Sequence, residues 1–302
     1  MPRAHRTFFL LAALIFPCVQ GCRNGSGAPQ AATLTHEPQS SAAAAPTPTA
    51  HAPPFPALKR GDEAFEPFVN LSGGRSFESR KVERKPLRKD LKVSADYPVL
   101  LGDDGPAVRE FNRRVRALVM EDVSQYLEAD PDSEKEQDPR WKDVEEFHDV
   151  SHKVVYASDE LVSVLFYMEG YRWGAAHSYH HPVTFNFDLK AGRELELARL
   201  FKPGSNYLRT LSDLCTEDLE RQYAQQLGQH PFGAGPTLLE GLKPAAENFK
   251  SWVVTPVGLV FIFEEYQVVA YADGEPKVMI PFDSLKEIID PRGARARLAA
   301  QE

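Results

Sequence analysis

The strongest constraint in this chain is the alternation that begins at Thr184. Phe185, Phe187 and Leu189 alternate with Asn186 and Asp188, a period of two that reads as a strand with one buried and one solvated face. Runs of the same kind surround it, each bounded by turn residues. Residues 150–156 and 161–167 meet across Ser158, Asp159 and Glu160, and residues 185–189 and 194–197 across Lys190, Ala191 and Gly192. A third pair, 252–254 and 259–263, flanks Thr255, Pro256, Val257 and Gly258. Residues 91–100 read as an earlier strand and 277–280 as a last one.

Two long helices interrupt the strands. Asp103, Asp104, Gly105 and Pro106 combine cap residues with a first-turn proline, and Val108, Phe111, Val115, Leu118, Val119 and Tyr126 then recur at steps of three and four to about Glu128. Ser205 caps a second helix that runs to about Gln226. Cys215 shares a side of that helix with Leu208, Leu211, Leu214 and Leu219, which reads as a buried small hydrophobe rather than a nucleophile. A short helix over 284–289 closes the pattern. The expected class is therefore α+β, an antiparallel sheet built from hairpins and packed by the two long helices.

The N-terminus stands apart from this pattern. Arg3, His5 and Arg6 precede an apolar run over 8–16 that is too short to span a bilayer and reads as a secretory signal. Val19, Gln20, Gly21 and Cys22 resemble the lipobox of bacterial lipoproteins, which implies a signal over 1–21 and a lipid on Cys22. Arg23 follows it, which favours the outer membrane, facing the periplasm, in a Gram-negative source. With Cys18 lost and Cys22 acylated, Cys215 has no disulfide partner in the chain. Residues 22–58, rich in Ala, Pro, Ser, Thr and Gln, read as a lipidated disordered tether holding the domain roughly 30 Å from its anchor.

Charge excludes one class of partner. The formal charge is −8, and −10 once the signal with Arg3 and Arg6 is left aside, so no nucleic acid is expected. The basic stretch 75–92 reads as a solvated lead-in strand, and the acidic stretch 128–146 as an exposed loop able to attract a cationic partner. EF-hand spacing is absent from it.

The run from Gly170 to Leu189 is the least ordinary surface. Small residues, Gly170 and Gly174 among them, let backbone or ligand approach closely, and Tyr171, Trp173, His177, Tyr179, His180 and His181 surround them. These residues, with Tyr266 and Tyr271, are the candidate binding set. A zinc-dependent hydrolase using His177, His180 and His181 is the alternative. In a strand His177 and His181 would lie about 13 Å apart on one face, too far for ligand distances of ~2 Å. In a loop they would converge, with Asp188, Glu264 or Glu265 supplying a carboxylate. No HExxH, GxSxG, CxxC or P-loop motif is present, and no catalytic residue, metal or cofactor is assigned.

The runs GAAHSYHHPVTFNFDLKAGRELELARLFKPGSNYLRTLSDLC and WVVTPVGLVFIFEEYQVVAYADGEPKVMIPFDSLKEII resemble the C-terminal module of a bacterial extracytoplasmic family of unknown function. Gly174, His177, Asp188, Gly192, Tyr266 and Tyr271 are among the positions that carry the likeness. The same family is similar to the outer region of the lysozyme-sensing anti-sigma factor and to the N-terminal module of some peptidoglycan deacetylases. Two positions depart from it: Gln267 where glutamate is usual and Ala270 where proline is common. The resemblance implies an α+β fold in two modules, 80–171 and 172–291, packed as one unit. It also implies an envelope location and a binding rather than catalytic role, with a lysozyme-like protein or peptidoglycan as ligand.

Overall fold

In α1 (Pro106–Glu128) Phe111, Val115, Val119 and Val123 recur every four residues, so they share one face, and all four are fully buried. The helix begins at Pro106, which has no N–H to leave unpaired, after a turn in which Gly105 N donates to Asp103 Oδ1 at 2.7 Å. The computed structural model describes residues 66–82, 91–128, 144–227, 240–270 and 274–293. The expected signal, Cys22, the tether and residues 129–143 of the acidic stretch lie outside them. Among the described residues no helix is long and apolar enough to cross a membrane.

The face of α1 packs on a sheet of seven described strands: β1 (Phe68–Asn70), β2 (Ser76–Lys81), β3 (Leu91–Leu101), β4 (Glu146–Ser158), β5 (Leu161–Tyr171), β6 (Tyr179–Asp188) and β7 (Arg193–Glu194). Their order is β2-β3-β4-β5-β6-β7, with β1 added beside β4. Most pairs are antiparallel, as the hairpins imply. β4 is the exception, running parallel to β3 at one end and to β1 at the other. Within the basic lead-in, residues 76–81 form the exposed edge strand β2, paired antiparallel to β3, and residues 83–90 lie outside the described residues. The side chain of Asn112 fastens α1 to β3 by accepting from Leu100 N at 2.8 Å and donating to Leu100 O at 2.9 Å.

A second sheet covers the other face. It consists of β8 (Trp252–Val254), β9 (Gly258–Ile262) and β10 (Lys277–Pro281), in the order β10-β9-β8. Val155 and Leu165 of the large sheet pack against Val253, Val260 and Ile262 of the small one. Behind the small sheet, α2 (Tyr207–Leu227) buries Leu211, Cys215 and Leu219 in one cluster with Phe261, Val278 and Ile280. Complete burial pushes the Cys215 thiol well above its ordinary pKa and makes it an inert hydrophobe. The short helix α3 (Phe282–Leu285) follows β10 directly. β5 and β6 pair from Leu161↔Asp188 to Gly170↔Tyr179, so the large sheet runs unbroken across the expected module boundary at 171/172.

The two-sheet arrangement corrects the reading of β6. Phe185 and Phe187 face α1 as expected, but Asn186 and Asp188 are 4% and 7% exposed, not solvated. β8 crosses there as the edge strand of the small sheet, and side chains of the large sheet take the place of a neighbouring strand. Trp252 N donates to Thr184 Oγ1 at 3.1 Å, and Trp252 O accepts from Asn186 Nδ2 at 2.8 Å. Val254 N donates to Ser163 Oγ at 3.0 Å, and the Ser163 hydroxyl donates to Asn186 Oδ1 at 2.5 Å. Replacing Asn186 with alanine would leave the Trp252 carbonyl buried without its donor. We expect Asn186→Ala to destabilise the domain by about 1–3 kcal/mol, read from urea denaturation. An unchanged midpoint would mean that the network contributes nothing.

Candidate functional site

The site begins with a missing side chain. His148 of β4, Gly170 of β5 and Tyr179 of β6 lie opposite one another in a single cross-strand row on the face toward α1. A Cβ on Gly170 would sit 2.5 Å from the Tyr179 hydroxyl and 2.7 Å from Phe147 O. Glycine therefore lets the tyrosine lie across the row, where its hydroxyl reaches His148 Nδ1 at 2.8 Å. Burial raises the pKa of Tyr179, with the carboxylate of Asp122 adding to it, so its O–H stays protonated and donates to Nδ1. The other ring nitrogen of His148 is then the donor, and it meets Asp122 Oδ2 at 2.6 Å.

Tyr126 stands one turn after Asp122 on α1 and stacks on the His148 ring, with centroids 4.3 Å apart. Its hydroxyl lies within hydrogen-bond reach of Phe147 O and Tyr171 O, and Arg172 covers the ring at 3.9 Å. This packing fixes Asp122 and Tyr179 as one wall of a cleft of about 370 Å³ at the N-terminal end of β6.

The facing wall is the turn that follows β9. Glu264 N donates to Gln267 Oε1 at 3.2 Å, and Gln267 N donates to Glu264 O at 3.0 Å. The Gln267 amide also donates to Gly241 O at 3.1 Å and Asn248 O at 3.0 Å. A glutamate here would lack those two donors, so glutamine at this departure from the family pattern anchors the turn rather than the ligand.

Within the turn, three consecutive side chains each meet a histidine across the edge of β6. Glu264 Oε1 lies 3.4 Å from His181 Nδ1, Glu265 Oε1 lies 2.8 Å from His180 Nδ1, and the Tyr266 hydroxyl lies 3.0 Å from His177 Nε2. His177 Nδ1 donates to Ser178 O at 2.7 Å, which leaves Nε2 as the acceptor for Tyr266. Lys250 Nζ pairs with Glu264 at 2.7 Å, and Glu169 approaches His180 at 3.6 Å. Tyr266 is left-handed (φ 63°) and 55% exposed. That conformation costs a residue of this size about 1–2 kcal/mol, the kind of local strain that concentrates at functional positions.

The candidate residues divide accordingly. His177, Tyr179, His180, His181 and Tyr266 line the cleft together. Tyr171 ends β5, and Trp173 and Gly174 lie in the turn leading away from it, where the Tyr171 hydroxyl donates to Ala175 O at 3.4 Å and Gly174 takes φ 81°. Tyr271 lies outside the described residues. Asp122, His148 and Glu169 were missed, because only the folded sheet and helix bring them beside the histidines.

The zinc alternative is corrected by the same geometry. His180 and His181 are consecutive strand residues on opposite faces, each paired to a separate carboxylate, and no group of three ligands converges among the described residues.

Two substitutions separate the walls. Gly170→Ala should displace Tyr179 from His148 and lower stability by about 1–3 kcal/mol, seen as a drop in melting temperature. Tyr266→Gly should relieve the left-handed strain and leave the melting temperature unchanged or raised. A large destabilisation by Tyr266→Gly would show that the tyrosine is structural and not held for a ligand.

Comparison with known proteins agrees with the resemblance read from the sequence. Over 203 residues, 67% of this chain, the sequence is 24% identical to the peptidoglycan-N-acetylmuramic acid deacetylase PdaC of Bacillus subtilis (strain 168). The chain spans 39% of that protein's length. A crystal structure of a DUF3298 family member from Bacteroides fragilis NCTC 9343 shares the fold, with TM-score 0.54 and 14% identity over 75% of this chain and 97% of that one. A DUF3298 family protein from Pseudomonas aeruginosa PAO1 matches at TM-score 0.41 and 16% identity, over 72% of this chain and 93% of that one. Residues 198–283, from the segment before α2 to the start of α3, match the family described as "Protein of unknown function (DUF3298)".

Proposed function

We propose that this chain is a cell-envelope lipoprotein, anchored through a lipid on Cys22, whose folded domain binds peptidoglycan without acting on it chemically. The observation that carries the reading is the cleft between β6 and the 264–266 turn. Its carboxylate, imidazole and phenol groups are each fixed by a partner, so a ligand meets an arrangement that needs no further ordering. Such groups hydrogen-bond sugar hydroxyls and acetamido groups, and the exposed Tyr266 ring offers a flat apolar face beside them. The similarity to a protein named for acting on peptidoglycan supports the same ligand. Its deacetylase activity is not carried over, because the likeness covers less than half of that protein.

A cationic muramidase is the second reading, favoured by charge. Asp122, Glu169, Glu264 and Glu265 stand around the cleft with Lys250 as their cation, which suits a basic surface, and Tyr266 would serve as an aromatic anchor.

Binding of the full chain to purified peptidoglycan, and separately to lysozyme, discriminates the two. Peptidoglycan should bind, with Tyr266→Ala weakening it about tenfold or more. Binding of lysozyme alone would favour the second reading, and binding of neither would overturn both. For the anchor, Cys22→Ala should abolish fatty-acid labelling and release the protein from the membrane fraction. A labelled, membrane-bound variant would refute the lipid.

A further inference from the structure

The peptidoglycan reading concerns one cleft, but β6 carries two more. The His–Tyr cleft lies at the start of the strand, beside His180. A second hollow of about 300 Å³ opens beside Thr184 and Asn186, floored by Phe249 and Trp252 and walled by Tyr207 and Lys250. A third, of about 390 Å³, opens beside Asp188, between the β6–β7 turn and residues 292–293. His180, Thr184, Asn186 and Asp188, on one face of β6, each border one of the three, and the first hollow also takes Tyr179 and His181 from the opposite face, so it wraps the edge of the strand.

Their walls are shared. Glu194 and Leu195 border both the second and the third hollow. Lys250, in the wall of the second, makes its ion pair with Glu264 in the wall of the first. Between these two, the buried Ser251 donates its hydroxyl to Pro182 O at 3.2 Å and so joins the start of β8 to β6. From Tyr179 to Asp188 the row extends about 30 Å at strand spacing.

Charge changes sign along the row. The first hollow presents Asp122, Glu264 and Glu265, whereas the third presents Lys190, Arg193, Arg199 and Arg292 against Asp188 and Glu194, an excess of cations. Among the described residues three of these cations have only long pairings, with Glu160 at 3.6 Å, Glu196 at 3.5 Å and Asp290 at 3.9 Å, and the cations themselves are exposed. Pairs of that kind hold a side chain weakly and yield readily to a ligand carboxylate. Arg193 meets no carboxylate among the described residues.

We propose that the three hollows act as one elongated groove for a linear glycan strand that bears carboxylates, with the sugar hydroxyls at the Glu264–Tyr266 end and carboxylate substituents at the Arg193 end. This rests on the peptidoglycan reading and specifies it: the ligand is a polymer several sugar rings long, not a single sugar or a terminal group. Peptidoglycan has the required chemistry, a run of polar rings with carboxylate-bearing stem peptides repeated along it.

Titration calorimetry of the full chain tests the inference with chitobiose, chitohexaose and a lysozyme-resistant peptidoglycan oligomer that retains its stem peptides. Chitohexaose should bind about tenfold or more tighter than chitobiose, and the stem-bearing oligomer tighter still. Arg193→Glu combined with Arg199→Glu, both exposed positions, should remove the advantage of the stem-bearing oligomer and leave chitohexaose unaffected. If the ligands bind with no dependence on length, or if the double variant leaves the oligomer's advantage intact, the groove is refuted while the peptidoglycan reading stands. If none of the three binds, both fall. A domain that instead binds lysozyme through the first hollow alone also overturns the groove.

Discussion

β8 is an edge strand only three residues long, and the side that it turns toward the large sheet carries backbone groups that no strand pairs. Thr184, Asn186 and Ser163 reach those groups with side chains, and the resulting seam is buried. An unsatisfied amide in such a place costs about 1–3 kcal/mol, comparable to burying a large aliphatic side chain. Hydrophobic contact of Val155 and Leu165 with Val253 and Val260 brings the sheets together but does not fix their relative position. The hydrogen bonds do, because each is directional and each joins a particular residue of one sheet to a particular residue of the other.

The candidate site inherits that register. β9 follows β8, and the turn after β9 carries Glu264, Glu265 and Tyr266 to the edge of β6 opposite His181, His180 and His177. Gln267 holds the turn with four hydrogen bonds, enough to sustain a tyrosine in the left-handed region. On the other wall, Tyr126 and Tyr179 enclose His148 so that Asp122 is held in place. Both walls are thus held from behind, by Tyr126 and His148 on one side and Gln267 on the other, the arrangement expected where a ligand is met by a preformed surface.

Much of the fold was legible because it rests on local periodicity. The four-residue spacing of Phe111, Val115 and Val119, the apolar company of Cys215 and the turn residues of each hairpin are all sequence-local signals, and the elements formed there. Gly170 was legible as a place of close approach, although the group that approaches is Tyr179, from the neighbouring strand. Polar residues at Asn186 and Asp188 signalled solvent, and this failed because Asn186 meets a second sheet 66 residues away in the chain while Asp188 turns its carboxylate onto Ala191 N of its own turn. The same holds for the site. His177 and Tyr266 stand 89 residues apart, and His180 and Glu265 stand 85 apart, so the cluster was visible as composition but not as pairing.

In the reading proposed above, the Glu264–Tyr266 turn and the histidines at 177, 180 and 181 form the surface that meets a glycan. Nuclear magnetic resonance of the imidazole protons and backbone amides, with chitohexaose added stepwise, tests it most directly. We expect saturable shifts at His177, His180, His181 and residues 264–266, with the buried His148 ring and the α2 amides little changed. Saturable binding whose shifts fall elsewhere, with these three histidines unmoved, would contradict it.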